Sequence, residues 1–250
     1  MKTSIWSARA AKAARGRTAA KPSVPIPVPI LALDVATLAE AERFLDRLKG
    51  LIGFYKVGLR LFSAEGPRAV DAVKKRGGKV FLDLKLHDIP QTVAGAVESA
   101  AGLGVDAVSL HLSGGKAMCE AAQAVPRRPL LWGVTVLTSL SVGDLAPLGG
   151  GTPLGRALSL AREFGPFVDG LVASGKEVDR LRGLGIGKPL IVPGIRPHGV
   201  IRGDQKRVIT PQDAARLGIE YVVVGRPILE APEPVEAARQ LLAALGGGGA

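Results

Sequence analysis

The stretch F-L-D-L-K-L-H-D-I-P-Q-T, from Phe81 to Thr92, decides how the rest of this chain is read. As a strand over 79–86 it would send Asp83 and Lys85 out of one face, because strand side chains alternate with a period of two. Phe81, Leu82, Leu84 and Leu86 crowd around these charges and desolvate them in part. Asp88 follows where the strand gives way to a loop. Two carboxylates and an ammonium so close together need partners, since an unpaired buried charge is costly. A structural ion pair at a sheet's end and a reactive site both meet that need, and this stretch alone leaves the two open.

Outward from it, one unit recurs along the chain. A short apolar run ends in a polar residue, and a helix-patterned segment of about a dozen residues follows, which is the mark of βα units. The runs are 30–33, 54–57, 79–84, 107–110, 130–136, 170–173, 190–192 and 221–224. The helical segments between and after them are 37–49, 63–75, 91–103, 115–124, 153–164, 176–184, 210–217 and 234–245. Eight alternating units in 250 residues predict a (β/α)8 TIM barrel, an α/β fold, over a doubly wound sheet. The closing G-G-G-G-A should fray.

Barrels of this kind place their chemistry at the C-terminal ends of the strands. Those ends carry Asp34, Lys56, Asp83 with Lys85 and Asp88, His111, Thr138 with Ser139, Arg196, and Gly225 with Arg226. Barrel packing does not require charge at so many ends, which turns the balance towards a site. Phosphate is often held after strands 7 and 8. Gly194 and Gly225 allow backbone N–H groups close to an oxyanion, and Arg196 and Arg226 offer forked donors to phosphate oxygens. The segment 197–208 is long for a βα loop and reads as a lid, with Gln205 as a neutral donor within it.

Composition restricts the alternatives. The chain is 47% hydrophobic but only 4% aromatic, so its core must be mostly aliphatic, as in buried parallel strands. No apolar run approaches a bilayer span, so no membrane association is expected. Cys119 is the single cysteine, which excludes an internal disulfide and suits a reducing cytoplasm. It lies in a helical segment with no paired base in view and reads as packing. Residues 1–29 contain six basic residues and no acid, which is more than half of the net charge of +11. They then turn to V-P-I-P-V-P, where alternate prolines forbid helix. This segment is read as a disordered extension preceding a single catalytic domain over 30–250; an organelle transit peptide shares the composition. The remaining basic surplus is modest and suits an anionic small substrate. Basic and aromatic residues are not interleaved as they are for base stacking, so no nucleic-acid partner is expected. His87, His111 and His198 lack metal-ligand spacing, and G-G-K at 114–116 is too short for a P-loop.

L-A-L-D (31–34), Y-K-V-G (55–58), the 81–92 stretch, V-L-T-S (136–139), P-G-I-R-P (193–197), D-Q-K-R-V (204–208) and V-V-V-G-R-P-I (222–228) together resemble orotidine 5′-phosphate decarboxylases of the bacterial type. The motifs follow the family's order from about Ile30 to about Leu245. The resemblance implies a cofactor-free, metal-free enzyme that converts orotidine 5′-monophosphate to uridine 5′-monophosphate in pyrimidine synthesis. It implies a homodimer with sites at the interface. Lys56, Asp83 and Lys85 would join Asp88 of the second subunit in a Lys-Asp-Lys-Asp network, with Lys85 as the proton donor. Asp34 would bind the ribose, Thr92 would reach the neighbouring site, and Thr138 with Ser139 would face the pyrimidine. Arg196, Gln205, Gly225 and Arg226 would hold the phosphate. A Mg2+-dependent sugar-phosphate decarboxylase or aldolase of the same barrel superfamily is the alternative enzyme, and a nucleic-acid-binding protein led by the basic extension is the alternative of another class.

Overall fold

The computed structural model describes residues 26–196 and 208–246. The described residues form strands β1 (Val28–Ala32), β2 (Phe54–Gly58), β3 (Lys79–Leu86), β4 (Ala107–His111), β5 (Leu130–Val134), β6 (Gly170–Val172), β7 (Leu190–Pro193) and β8 (Tyr221–Val224). The helices are α1 (Leu38–Arg47), α2 (Leu59–Glu65), α3 (Pro67–Lys74), α4 (Pro90–Gly102), α5 (Gly115–Gln123), α6 (Val142–Leu145), α7 (Pro153–Phe164), α8 (Val178–Gly183), α9 (Pro211–Arg216), α10 (Arg226–Leu229) and α11 (Pro234–Ala244). The strands are parallel, pair in sequence order and close through β1 and β8. This is the TIM barrel that the alternating pattern predicts.

Three departures have local causes. The second helical segment is two helices, because Gly66 takes a φ of +57° and Pro67 then starts a new helix. The short α6 and α10 lie in connections where no helix is expected from the sequence, since neither is long enough to show a helical period. The first strand begins at Val28, so Val28 and Pro29 belong to the barrel and not to the extension. Pro29 is tolerated there for a geometric reason. Val28 N–H donates to Glu220 O on the β8 side and Leu33 N–H donates to Lys56 O on the β2 side. Alternation therefore turns the nitrogen of Pro29 towards β2, whose pairing starts only at Leu31, so no ladder bond is lost. Residues 1–25 lie outside the described residues.

Two apolar layers hold the barrel. One fills the space between strands and helices, where α1 buries Ala41 and Leu45 and is closed at its start by the reciprocal Thr37–Glu40 capping box. The other lies inside the barrel: Ile30, Ala32, Phe54, Phe81, Ala107, Trp132, Ile191 and Val223. The Trp132 ring sits 4.5 Å from Phe81, 5.1 Å from Tyr221 and 5.8 Å from Phe54, centroid to centroid. Phe54, Phe81, Trp132 and Tyr221 thus stack into an aromatic plug that supports whatever stands above it.

At the opposite end from the strand C-termini, three acids repeat one device. Asp106, Asp169 and Glu220 precede β4, β6 and β8, and each accepts the backbone N–H of a residue near the start of the preceding odd-numbered strand: Val80, Leu131 and Leu190. Each carboxylate is also paired with a cation, respectively Lys74, Arg128 and Arg182. The sheet's lower rim is thereby satisfied without involving the upper one.

Candidate active site

The interior plug determines what stands above it. Phe54, Phe81 and Ala107 point inward, and two residues further along each strand lie Lys56, Asp83 and Ser109. The polar residues therefore form the next layer towards the C-terminal ends. Here a cavity of about 480 Å³ opens, a size that suits a small molecule. Asp34, Lys56, Asp83, Lys85, Thr138, Arg196, Gly225 and Arg226 all line it.

The charges form a continuous row. Asp34 Oδ1 lies 2.9 Å from Lys56 Nζ, Lys56 Nζ lies 3.5 Å from Asp83 Oδ2, and Asp83 Oδ2 lies 2.8 Å from Lys85 Nζ. Asp83 is buried. Burial by itself would raise its carboxyl, but the ammonium groups of Lys56 and Lys85, with hydrogen bonds from Lys85 and Ser109, hold it below the usual carboxylate range. Burial likewise works against the charge on Lys56, and the facing carboxylates of Asp83 and Asp34 reverse this and raise it. Opposed charges at these distances keep one another ionised in a setting that would neutralise either alone.

Lys85 reaches this row by an irregular backbone. It has a φ of +52°, in the left-handed region that a long side chain rarely enters. The ladder between β3 and β4 shifts between Leu82 and Leu86, so Lys85 stands in a bulge and not in the regular strand that its spacing from Asp83 suggests.

Gly58 keeps room for the row. A Cβ there would lie 2.6 Å from Lys56 Nζ and 3.3 Å from Asp34 Oδ1. Opposite the lysines, β7 runs into Gly194, whose φ is +82°, and then to Arg196, which is buried at the cavity wall. Arg196 N–H donates to Ile209 O at 3.0 Å, and Ile195 bridges Ile209, so both ends of the connection to α9 are fastened at its base. Gln205 lies outside the described residues, as does His198.

The remaining expected residues are not drawn into the cavity within this chain. Asp88 is exposed, and its Oδ1 accepts the neighbouring Ile89 N–H; among the described residues it forms no ion pair with Lys56 or Lys85. Thr92 is exposed in the first turn of α4. Ser139 is exposed and is not part of the cavity wall, although Thr138 is. His87 and His111 face one another with rings 5.4 Å apart. Burial first, and then the proximity of His87 and Lys85, lowers the His111 imidazole below its ordinary value against the opposing pull of Asp83. Among the described residues no group of three or more His, Cys, Asp or Glu is disposed to hold a metal, and no helix is long and apolar enough to cross a membrane. Cys119 is buried, with its thiol pushed up to about 11 by burial and then Glu120.

Sequence reading missed Gly58, Ser109, Arg60 and Glu230. Arg60 and Glu230 line the cavity, and Arg60 Nη1 donates to Asp34 O at 3.1 Å. A signal existed for Ser109: it follows inward-facing Ala107 by two residues on the strand next to Asp83. No such signal marked Arg60, in the short helix after β2, or Glu230, which caps the short helix after β8.

Fold and site together define a (β/α)8 barrel protein with a charged small-molecule pocket at the strands' C-terminal mouth, where catalysis is carried out in this architecture. A family model described as "Orotidine 5'-phosphate decarboxylase / HUMPS family" matches residues 27–241. The orotidine 5′-phosphate decarboxylase of Moorella thermoacetica is 48% identical over 229 residues, covering 86% of this chain and 90% of its own. That of Anaeromyxobacter sp. strain K is 48% identical over 219 residues, covering 86% of this chain and 96% of its own. The crystal structure of the Lactobacillus acidophilus orotidine 5′-phosphate decarboxylase superposes with a TM-score of 0.76 at 32% identity, covering 88% of this chain and 99% of that one. This chain belongs to the orotidine 5′-phosphate decarboxylase / HUMPS family, and these relatives bear the name of a carboxy-lyase.

Proposed function

We propose that this chain converts orotidine 5′-monophosphate to uridine 5′-monophosphate and CO2 in de novo pyrimidine synthesis, in the cytoplasm and without a cofactor. The observation that carries the reading is the row Asp34–Lys56–Asp83–Lys85 in a cavity that Arg196 and Arg226 also line, in a chain whose curated relatives carry that activity's name.

The chemistry accounts for the residue types. Breaking the bond from C6 to the carboxylate leaves an electron pair on C6, in the plane of the pyrimidine, where the ring's π system cannot delocalise it. An ammonium held beside C6 stabilises that pair and then gives it a proton. Lys85 fills both roles, and solvent restores its proton after product leaves. Asp83 lies beside the substrate carboxylate, and like charges at short range raise the energy of the bound ground state. Lys56 holds Asp83 in place, and Asp34 holds Lys56 and offers its second oxygen to the ribose. Thr138, which lines the cavity, faces the pyrimidine. Arg196, Gln205, Gly225 and Arg226 grip the phosphate, and this remote binding energy is used at the reacting ring.

The working unit is a homodimer in which Asp88 and Thr92 complete the partner's site. In support, Asp88 is exposed and, among the described residues, makes no ion pair with Lys56 or Lys85 of its own chain, and the adjacent Ile89 side chain is largely in solvent, 66% exposed. Loss of orotidine 5′-monophosphate absorbance in buffer containing EDTA tests the reading. Turnover that persists supports it. A strict Mg2+ requirement, or turnover only of sugar phosphates, favours the metal-dependent branch of the barrel superfamily instead.

A further inference from the structure

Ser109 occupies the one place where β3 and β4 fall out of step. Leu82 pairs with Val108 and Leu86 with Leu110, so Asp83, Leu84 and Lys85 stand against Ser109 alone. Two residues of β3 are in excess there, and the ladder cannot satisfy their backbone. The Ser109 side chain takes over. Its Oγ lies 2.9 Å from Lys85 N and 2.8 Å from Asp83 Oδ1, and the residue is fully buried.

The direction of these bonds follows from their chemistry. A backbone N–H can only donate, so the hydroxyl oxygen accepts from Lys85. Its single proton is then left for Asp83 Oδ1, which must accept as a carboxylate. One hydroxyl thus ties the backbone of the lysine to the side chain of the aspartate. It also occupies Oδ1, which leaves Oδ2 facing both ammonium groups. The left-handed Lys85 backbone is strained and persists only where its surroundings hold it; the bond from Lys85 N–H to Ser109 is one that does so.

We propose that Ser109 is a positioning residue for this site: it fixes the bulge that aims Lys85 and orients the Asp83 carboxylate, without itself touching substrate. The proposal rests on the decarboxylase reading for its kinetic consequence, and on geometry alone for its structural one.

The test uses the full chain with Ser109→Ala, Ser109→Thr and Ser109→Cys. Cysteine preserves the volume of the site but not a strong hydrogen-bonding hydroxyl, so it separates lost packing from lost positioning. We expect kcat for orotidine 5′-monophosphate to fall about tenfold or more in the alanine and cysteine variants with KM changed by less than about threefold, because the phosphate grip is untouched. Threonine, which keeps the hydroxyl, should recover most of the loss. The acid limb of the kcat profile should move to higher pH in the alanine and cysteine variants, since Asp83 loses a hydrogen bond to its charged form. Turnover within about twofold of wild type in folded cysteine variant overturns the proposal, as does a loss expressed wholly in KM. If the wild type does not decarboxylate, the activity reading fails first, and a crystal structure of the cysteine variant decides the positioning claim: Lys85 retained at positive φ with its ammonium on Asp83 refutes it, and Lys85 released supports it.

Discussion

Asp34 holds the Lys56 ammonium more closely than Asp83 does, at 2.9 Å against 3.5 Å. Lys56 is thus suspended between a half-exposed carboxylate at the cavity rim and a buried one beneath it. The row of charges begins within this single chain at Asp34, one residue earlier than the Lys-Asp-Lys-Asp order inferred from resemblance. Lys56 can hold Asp83 only while its own position is fixed from the rim.

That dependence makes Gly58 a sensitive point. Its backbone, φ −101° and ψ −176°, is one that alanine adopts without strain, so Gly58→Ala should leave the fold intact. Its new methyl would meet Lys56 Nζ at 2.6 Å and force the ammonium off Asp34. We expect kcat/KM to fall about tenfold or more while the melting temperature changes by only a few degrees. Kinetics beside a thermal melt check this, and wild-type kcat/KM would show that Lys56 has slack to spare.

Lys85→Ala should abolish turnover and leave nucleotide binding largely in place, because the arginine-lined side of the cavity is separate from the lysine. Titration with uridine 5′-monophosphate measures the binding, and a single-turnover assay measures the chemistry. Near-normal turnover would refute Lys85 as the proton donor.

Mixing Asp88→Ala chains with Lys85→Ala chains should restore activity that neither variant shows alone, since a mixed dimer can assemble one intact site. At random exchange about a quarter of the sites would be whole, given symmetric pairing of two chains. No recovery despite demonstrated subunit exchange would mean that Asp88 acts within its own chain.

Asp83 is held below the usual carboxylate range and Lys56 above the usual ammonium range. Both therefore stay charged from about pH 4 to about pH 10, and kcat should be flat from about pH 6 to about pH 9. A depressed carboxyl stabilises the fold above its unfolded value of about 3.9, and that contribution is lost as pH falls through the lower folded value. Asp83→Asn should accordingly weaken the pH dependence of stability below about pH 4, read by acid-induced unfolding. An acid limb of kcat centred above about pH 5 would contradict the depressed carboxyl.

The lower rim should affect stability and not chemistry. Asp169→Ala removes the acceptor 2.8 Å from Leu131 N–H and the partner of Arg128. Leaving a buried donor unsatisfied costs about 1–3 kcal/mol, which for a domain of this size is a fall in melting temperature of roughly 2–12 °C. kcat should be unchanged, because the device lies at the end of the barrel away from the cavity. A drop in kcat without a drop in melting temperature would overturn this division between the two ends.

The barrel, its order of strands and most of the cavity's charged residues were legible in the chain itself. Period-two alternation carries Phe54 to Lys56 and Phe81 to Asp83 along one inward face, and that needs no knowledge of the neighbouring strand. Eight repeats of strand and helix close only one way at this length. What tertiary structure alone decided were the relations across strands. Asp34 with Lys56, Lys56 with Asp83, and Ser109 with both Asp83 and Lys85 are separated by more than twenty residues, and each depends on the stagger of adjacent strands. The bulge at Lys85 is a property of two strands with unequal spacing, so neither strand's sequence contains it. Alternation tells which way a side chain points; only the register of the closed sheet tells what it meets there.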